Sequence, residues 1–169
     1  MIPQDTGSLA RALGERLVDK GWMFSCAESC TGGLLAAAMT DTPGSSRWFD
    51  RGVVTYSNEA KQDLLGVHTD TLERFGAVSE ETAMEMAAGV LTGAPHSDFA
   101  VSTTGIAGPE GGTPGKPVGM VCFGFATRTG QGVVIRAETR VFSGDRQAVR
   151  AAAVAFALST ALEFNPRER

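Results

Sequence analysis

The sequence AESCTGG at residues 27–33 joins a short apolar run to the start of an amphipathic helix. The apolar run over 22–27 predicts a buried strand, and residues 31–40 return to the helical period. A strand that turns directly into a helix is the repeating unit of an open α/β sheet. Such sheets bind ligands at the carboxyl ends of their strands, and Ser29 lies at that position.

Helices and strands alternate along the rest of the chain. Outside residues 22–40, the patterns predict helices over 8–20, 59–65, 69–75, from a cap at 79 to about 91, and a last helix to about 164. They predict strands over 52–56, 99–103, 118–127 and 131–142, the last two joined by a hairpin at 128–130. This order predicts the α/β class: a single-domain three-layer sandwich, with a mixed β-sheet and helices on both faces.

Composition and charge narrow the class of protein. With 169 residues, the chain is predicted to form one domain over 1–169, its core at about 6–164. A net charge of -4 without a basic tract argues against a nucleic-acid partner. Three cysteines, Cys26, Cys30 and Cys122, lack metal spacing and favour a reducing, cytoplasmic compartment. We expect no export signal, no membrane span and no metal, and a homodimer only because compact α/β enzymes often form one.

Ser29 is a candidate nucleophile. If a helix starts at Thr31, the N–H groups of Thr31, Gly32 and Gly33 belong to its unpaired first turn. Such donors, aided by the helix dipole, can hold a developing oxyanion. The alternative is that Ser29 or Thr31 only caps the helix. The segment is not the G-x-S-x-G elbow of α/β-hydrolases, since Ala27 and Thr31 occupy the glycine positions.

A serine that lacks a histidine partner needs another base, and Lys61 is the best candidate. It follows the strand over 52–56 on a short helix, which can return it to the same crevice. It would act as a base only if its pKa were lowered, and an exposed helix lysine is the ordinary alternative. Tyr56, the single tyrosine, could donate a proton to the leaving group, orient Lys61, or simply pack.

Cys30 offers a competing mechanism. Together with Glu28 and Lys61 it supplies the residue types of an amidase with a cysteine nucleophile. Adjacent side chains on an extended segment point in opposite directions, so Ser29 and Cys30 should not both face the site. Cys30 could equally be a small core residue.

A glycine-rich loop over 105–115 follows the third predicted strand. It matches neither the Walker A pattern nor G-x-G-x-x-G, so it could be a ligand loop or a plain connection. Thr104 and Gly105 at its start are candidate ligand contacts. Arg146, next to Asp145 at the start of the last helix, could bind an anion, although this pair could also serve only to cap the helix.

Taken together, several segments resemble the nicotinamide-nucleotide amidase family, which also occurs as the C-terminal domain of competence/damage-inducible protein A. They are 27–33 (AESCTGG), 52–61 (GVVTYSNEAK), 76–79 (GAVS), 104–109 (TGIAGP), 116–119 (KPVG) and 142–146 (FSGDR). The resemblance covers nearly the whole chain and implies the stand-alone form of the domain.

The resemblance implies hydrolysis of nicotinamide mononucleotide (NMN) to nicotinate mononucleotide and ammonia, in pyridine-nucleotide salvage. The family's serine, lysine and tyrosine fall on Ser29, Lys61 and Tyr56, and no cofactor is implied. Thr31, Gly32 and Gly33 are expected to bind the oxyanion, and Arg146 or Thr104 with Gly105 the phosphate. The rival interpretation is a non-catalytic module that binds a pyridine nucleotide.

Overall fold

The computed structural model describes residues 5–164, which form a five-stranded mixed sheet between two layers of helices. The strand order is β2-β1-β3-β4-β5; β1 is parallel to both neighbours, and β4 and β5 are antiparallel additions. The elements in chain order are α1 (Thr6–Lys20), β1 (Phe24–Glu28), α2 (Leu34–Thr40), β2 (Phe49–Val54), α3 (Asn58–Leu65), α4 (Thr69–Phe75), α5 (Glu80–Thr92), β3 (Phe99–Gly105), β4 (Met120–Thr129), β5 (Gly132–Val141) and α6 (Arg146–Glu163).

Two separate apolar cores lie on the two faces of the sheet. The larger core packs α1, α2 and α6 against one face, with Leu13, Phe123 and Leu158 fully buried. The smaller core packs α3, α4 and α5 against the other face around Met86 and Leu91. The predicted α/β sandwich with helices on both faces is therefore confirmed.

The predicted boundaries shift where tertiary contacts override local pattern. Helix α2 begins at Leu34 rather than Thr31, because Gly32 and Gly33 have φ values of 57° and 106° and form a turn instead of helix. Strand β2 begins at Phe49, which pairs with Phe24 of β1. The hairpin also differs, since β4 continues to Thr129 and β5 begins at Gly132.

The connections around β1 create a crevice. The crossover from β1 to β2 contains α2 on one face, whereas the crossover from β2 to β3 contains α3, α4 and α5 on the other face. Strands β2 and β3 lie on opposite sides of β1, so the connection after β1 runs towards β2, whereas the connection after β3 runs towards β4. A doubly wound sheet binds its ligands at such a switch point.

Candidate active site

The residues after β1 and β2 meet at the carboxyl edge of the sheet. Ser29 follows β1 directly, and its N–H donates to the Thr103 carbonyl on β3 at 3.0 Å. Thr55 follows β2, and its N–H donates to the Glu28 carbonyl at 2.8 Å. The sheet ladder thus continues past the strand ends and fixes the backbone on both sides of the serine.

Ser29 and Lys61 are in direct contact, although 32 positions separate them in sequence. Lys61 Nζ lies 3.1 Å from Ser29 Oγ and donates to the carbonyls of Thr55 at 3.0 Å and Tyr56 at 3.2 Å. Helix α3 holds Lys61 against the sheet; its N-terminus is capped by Ser57, whose side chain accepts from Ala60 N–H. The lysine is only 1% exposed, so it is not an ordinary surface lysine.

Burial lowers the pKa of Lys61 from its ordinary value of 10.5. The Cys30 thiol opposes this shift of the pKa more weakly, and among residues 5–164 no carboxylate forms an ion pair with Lys61. A neutral amine has two N–H donors and one lone pair. When Lys61 is neutral, its two N–H groups can stay on the Thr55 and Tyr56 carbonyls while its lone pair faces the Ser29 hydroxyl, as a general base requires.

Glu28 caps the helix that follows the serine. Its side chain is fully buried, and Oε1 accepts from Thr31 Oγ1 at 2.6 Å, Gly33 N–H at 3.1 Å and Leu35 N–H at 2.9 Å. Oε2 accepts from Ala36 N–H at 2.9 Å. A carboxylate at a helix N-terminus is stabilised by these donors and by the helix dipole. Sequence reasoning considered Glu28 only as part of a cysteine mechanism and missed this role.

The bonds of this turn change which N–H groups are free. Gly33 N–H is bonded to Glu28, and Gly32 N–H donates to the Ser29 carbonyl at 3.0 Å, contrary to the expectation that both are unpaired. The N–H groups of Cys30 and Thr31 have no acceptor within residues 5–164. The free donors next to the serine are therefore those two.

Tyr56 contacts Lys61 through its backbone rather than its side chain. Tyr56 is 61% exposed, and its hydroxyl accepts from Arg146 Nη2 at 3.1 Å. Arg146 Nη1 also donates to the Gly108 carbonyl at 2.8 Å, so it joins the glycine-rich loop to the tyrosine. Asp145 alone caps α6, through Ala148 N–H. Arg146 is therefore an exposed cation at the mouth of the crevice.

Cys30 is poorly suited to be the nucleophile. It is 5% exposed and packs in the larger apolar core. Burial raises the pKa of its thiol to about 12, which disfavours the reactive thiolate. Its carbonyl accepts from Arg150 Nε at 3.0 Å, and Arg150 Nη2 donates to the Thr31 carbonyl at 3.3 Å. Arg150 was not identified from the sequence, because nothing local relates it to a turn 120 positions earlier.

Thr104 and Gly105 already have contacts within the fold. The Thr104 hydroxyl is buried and donates to the Ala77 carbonyl at 2.8 Å. A Cβ on Gly105 would lie 2.7 Å from the Met120 carbonyl oxygen, so the close approach of β4 accounts for this glycine. The structure thus brings Ser29, Lys61, Tyr56 and Arg146 together, whereas the Thr104 hydroxyl is bonded within the fold.

Two features are absent from the described part of the chain. Between residues 5 and 164 no three His, Cys, Asp or Glu side chains are grouped so that they could hold a metal ion. None of the helices in the same range is long and apolar enough to cross a membrane.

These features define a class: an α/β sandwich that brings a serine hydroxyl and a buried lysine amine into contact at the carboxyl edge of its parallel strands. A model of the CinA C-terminal domain matches residues 6–164. The chain therefore belongs to the CinA C-terminal domain family.

Individual relatives agree with this assignment. The nicotinamide-nucleotide amidohydrolase PncC of Enterobacter agglomerans is 58% identical over 154 residues, 91% of this chain and 92% of that protein. PncC of Escherichia coli K12 is 51% identical over 160 residues, 95% and 94% of the two chains. The crystal structure of competence/damage inducible protein CihA from Agrobacterium tumefaciens is 46% identical, with a TM-score of 0.87 over 97% of this chain and 99% of that one.

Proposed function

We propose that this protein hydrolyses the carboxamide of NMN to nicotinate mononucleotide and ammonia. Two relatives that align with more than 90% of the chain are named for that class of reaction. The observation that carries the proposal is the buried contact of 3.1 Å between Ser29 Oγ and Lys61 Nζ. Amide hydrolysis by this pair needs water but no metal or cofactor.

In the first half of the reaction, Ser29 Oγ attacks the carboxamide carbon while Lys61 Nζ accepts the hydroxyl proton. The carbonyls of Thr55 and Tyr56 stabilise the ammonium that forms on Lys61, because each accepts one of its N–H groups. The tetrahedral intermediate then collapses, the C–N bond breaks, and Lys61 returns the proton to the leaving nitrogen, which departs as ammonia.

In the second half, water attacks the ester on Ser29. Lys61 accepts a proton from the water, the bond between the acyl carbon and Ser29 Oγ breaks, and the proton passes to the serine oxygen. The products are nicotinate mononucleotide and the free enzyme. Lys61 thus serves as base and acid in both halves, which requires a pKa nearer to neutral than that of an exposed lysine.

For the phosphate we assign Arg146 as the anchor. It is exposed at the mouth of the crevice, and its guanidinium can bind phosphate oxygens bidentately. The Tyr56 hydroxyl, held by Arg146, then orients that end of the substrate, and proton delivery to ammonia falls to Lys61. Of the predicted substrate-binding residues, Thr31 contributes its N–H to the oxyanion, while Gly32, Gly33, Thr104 and Gly105 shape the backbone around it.

The reaction belongs to pyridine-nucleotide salvage, and we infer that it takes place in the cytoplasm. All three cysteines are unpaired and buried, which agrees with a reducing compartment.

The test is ammonia release by the purified protein from NMN, nicotinamide riboside and free nicotinamide. We expect release from NMN, much less from the two compounds without phosphate, and full activity in Cys30→Ala. Saturable binding of NMN without ammonia release would instead identify a non-catalytic nucleotide-binding module, and loss of turnover in Cys30→Ala with retention in Ser29→Ala would identify a cysteine amidase.

A further inference from the structure

Arg150 on α6 holds the backbone immediately after Ser29. Its two donated hydrogen bonds end on consecutive carbonyls, those of Cys30 and Thr31. Residue 32 leaves room for the guanidinium, since a Cβ on Gly32 would lie 3.3 Å from Arg150 Nη2. Helix α6 therefore holds the turn after Ser29 in place through Arg150.

One of the two bonded carbonyls, that of Cys30, belongs to the same peptide as the free Thr31 N–H. The Ser29 carbonyl accepts from Gly32 N–H, so Cys30 and Thr31 are the central residues of a turn over 29–32. A peptide unit is planar, with its C=O and N–H on opposite sides. By holding the Cys30 carbonyl, Arg150 thus also fixes the direction of the Thr31 N–H, which points away from the guanidinium and has no acceptor within residues 5–164.

A hydrogen bond to a carbonyl also polarises its peptide and makes the N–H a stronger donor. Amide hydrolysis depends on such fixed donors, because negative charge develops on the carbonyl oxygen in the transition state. We infer that Arg150 is a positioning residue: through the peptide between Cys30 and Thr31 it orients and strengthens the Thr31 N–H that holds the oxyanion. This inference rests on the proposed acyl transfer to Ser29.

The chain offers a matched control near the amino ends of the parallel strands. Arg128 also donates only to backbone carbonyls, those of Ser97 at 3.0 Å, Leu91 at 2.8 Å and Ala94 at 3.2 Å. Arg128→Met removes a similar set of bonds far from Ser29, whereas Arg150→Met removes those next to it. Arg150→Lys keeps one donor and the charge.

Two rates are measured for each variant. The first is ammonia release from NMN, as kcat and KM. The second is the rate at which a fluorophosphonate labels Ser29, followed by peptide mass spectrometry. In this labelling the bond from Oγ to phosphorus forms, the P–F bond breaks, fluoride leaves and Lys61 takes the hydroxyl proton. The phosphonyl oxygen accepts hydrogen bonds from the oxyanion donors, so the labelling rate reports on these donors in the absence of NMN.

We expect Arg150→Met to lower kcat about 100-fold with KM within about threefold, and to slow the labelling by a similar factor. Arg150→Lys should recover about tenfold of both rates, and Arg128→Met should lower thermal stability while leaving both rates within about threefold. If Arg150→Met does not fold, the Arg150→Lys rates are compared with those of the wild type and Arg128→Met by the same criteria.

Three results would overturn the inference: a raised KM with unchanged kcat, labelling independent of residue 150, or an equal loss of both rates in Arg128→Met. The proposed substrate is tested separately by the wild type. If the wild type releases no ammonia from NMN while labelling depends on Arg150, the substrate is wrong and the positioning role stands.

Discussion

The two ends of β1 carry polar groups in opposite situations. At the amino end, the Ser25 hydroxyl is bonded to the Ser97 hydroxyl, which also donates to Asp50. Asp50 in turn pairs with Arg51. Nearby, Arg128 donates to three carbonyls. Each of these groups has a partner within the chain, so this end of the sheet is a closed network that holds strands and loops together.

At the carboxyl end some polar groups remain available to a ligand. Lys61 is buried without a carboxylate partner in the described chain, and Arg146 is exposed next to the crevice. The N–H groups of Cys30 and Thr31 have no acceptor within residues 5–164. Burying an amine without a carboxylate partner costs stability, and proteins keep such features where function needs them. The site is therefore distinguished from the amino end by its free backbone N–H groups and by a buried lysine without a carboxylate partner, rather than by its polarity.

The largest effect should come from Ser29→Ala, and Ser25→Ala at the other end of β1 is its control. We expect Ser29→Ala to lower kcat for NMN by about 10⁴-fold or more, because it removes the proposed nucleophile. Ser25→Ala should leave kcat within about threefold. It should lower the free energy of unfolding by about 1–2 kcal/mol, because it removes a buried hydrogen bond. Steady-state ammonia release and urea unfolding measure the two effects. Equal loss of activity in both variants would contradict the distinction between the two ends.

Lys61→Met should lower kcat about 10³-fold, since it removes the proposed base. Lys61→Arg should not restore activity, because a guanidinium stays protonated. The free energy of unfolding of Lys61→Met should change by less than about 1 kcal/mol, since the loss of a buried charge offsets the loss of its hydrogen bonds. Activity close to wild type in the arginine variant would exclude Lys61 as the base.

Glu28→Gln should lower the free energy of unfolding by about 2–4 kcal/mol, because four donors lose a charged acceptor at the start of α2. Glu59→Gln, in the exposed first turn of α3, is the control and should cost less than about 0.5 kcal/mol. Chemical denaturation compares the two variants. Equal small effects would mean that the carboxylate of Glu28 is not what holds the turn.

The smallest expected effect is the contribution of Lys61 to the pH dependence of the free energy of unfolding. The pKa of Lys61 is lower in the folded protein than its ordinary value of 10.5 in the unfolded chain. Between these two pKa values the unfolded chain binds more protons, so this lysine adds stability as the pH rises through that window. Wild type should therefore gain stability relative to Lys61→Met as the pH approaches 10.5, as measured by urea unfolding at several pH values. A constant difference between the two proteins would show that the pKa of Lys61 is not lowered.

The fold was predictable because hydrophobic period and turn residues are local signals. They gave the alternation of helices and strands and put Ser29 after a buried strand, as observed. The boundaries were less predictable, because pairing between strands and the positive φ values of Gly32 and Gly33 set them. The pattern of residues 31–40 looked helical from its first residue, although the helix begins only at Leu34.

The site was predictable in its residue types but less so in its contacts. Sequence alone could not show that Lys61 is buried, because this depends on how α3 packs on the sheet. It left open whether Tyr56 donates to the leaving group, orients Lys61 or only packs. The contact with Lys61 comes from the Tyr56 carbonyl, which any residue type would supply. Arg150 was missed because its partners are carbonyls of a distant turn, and such contacts leave no pattern in a single sequence.

The role of Lys61 as the base that takes the proton of Ser29 is tested most directly by the pH dependence of kcat/KM for ammonia release from NMN, between about pH 6 and pH 9.5. A neutral Lys61 that takes the proton of Ser29 predicts a rising limb, about tenfold per pH unit, that levels off below the ordinary lysine pKa of 10.5. Lys61→Met should retain only a low rate without that limb. A wild-type profile that is flat or falls with pH, or a rising limb that persists in Lys61→Met, would contradict the account.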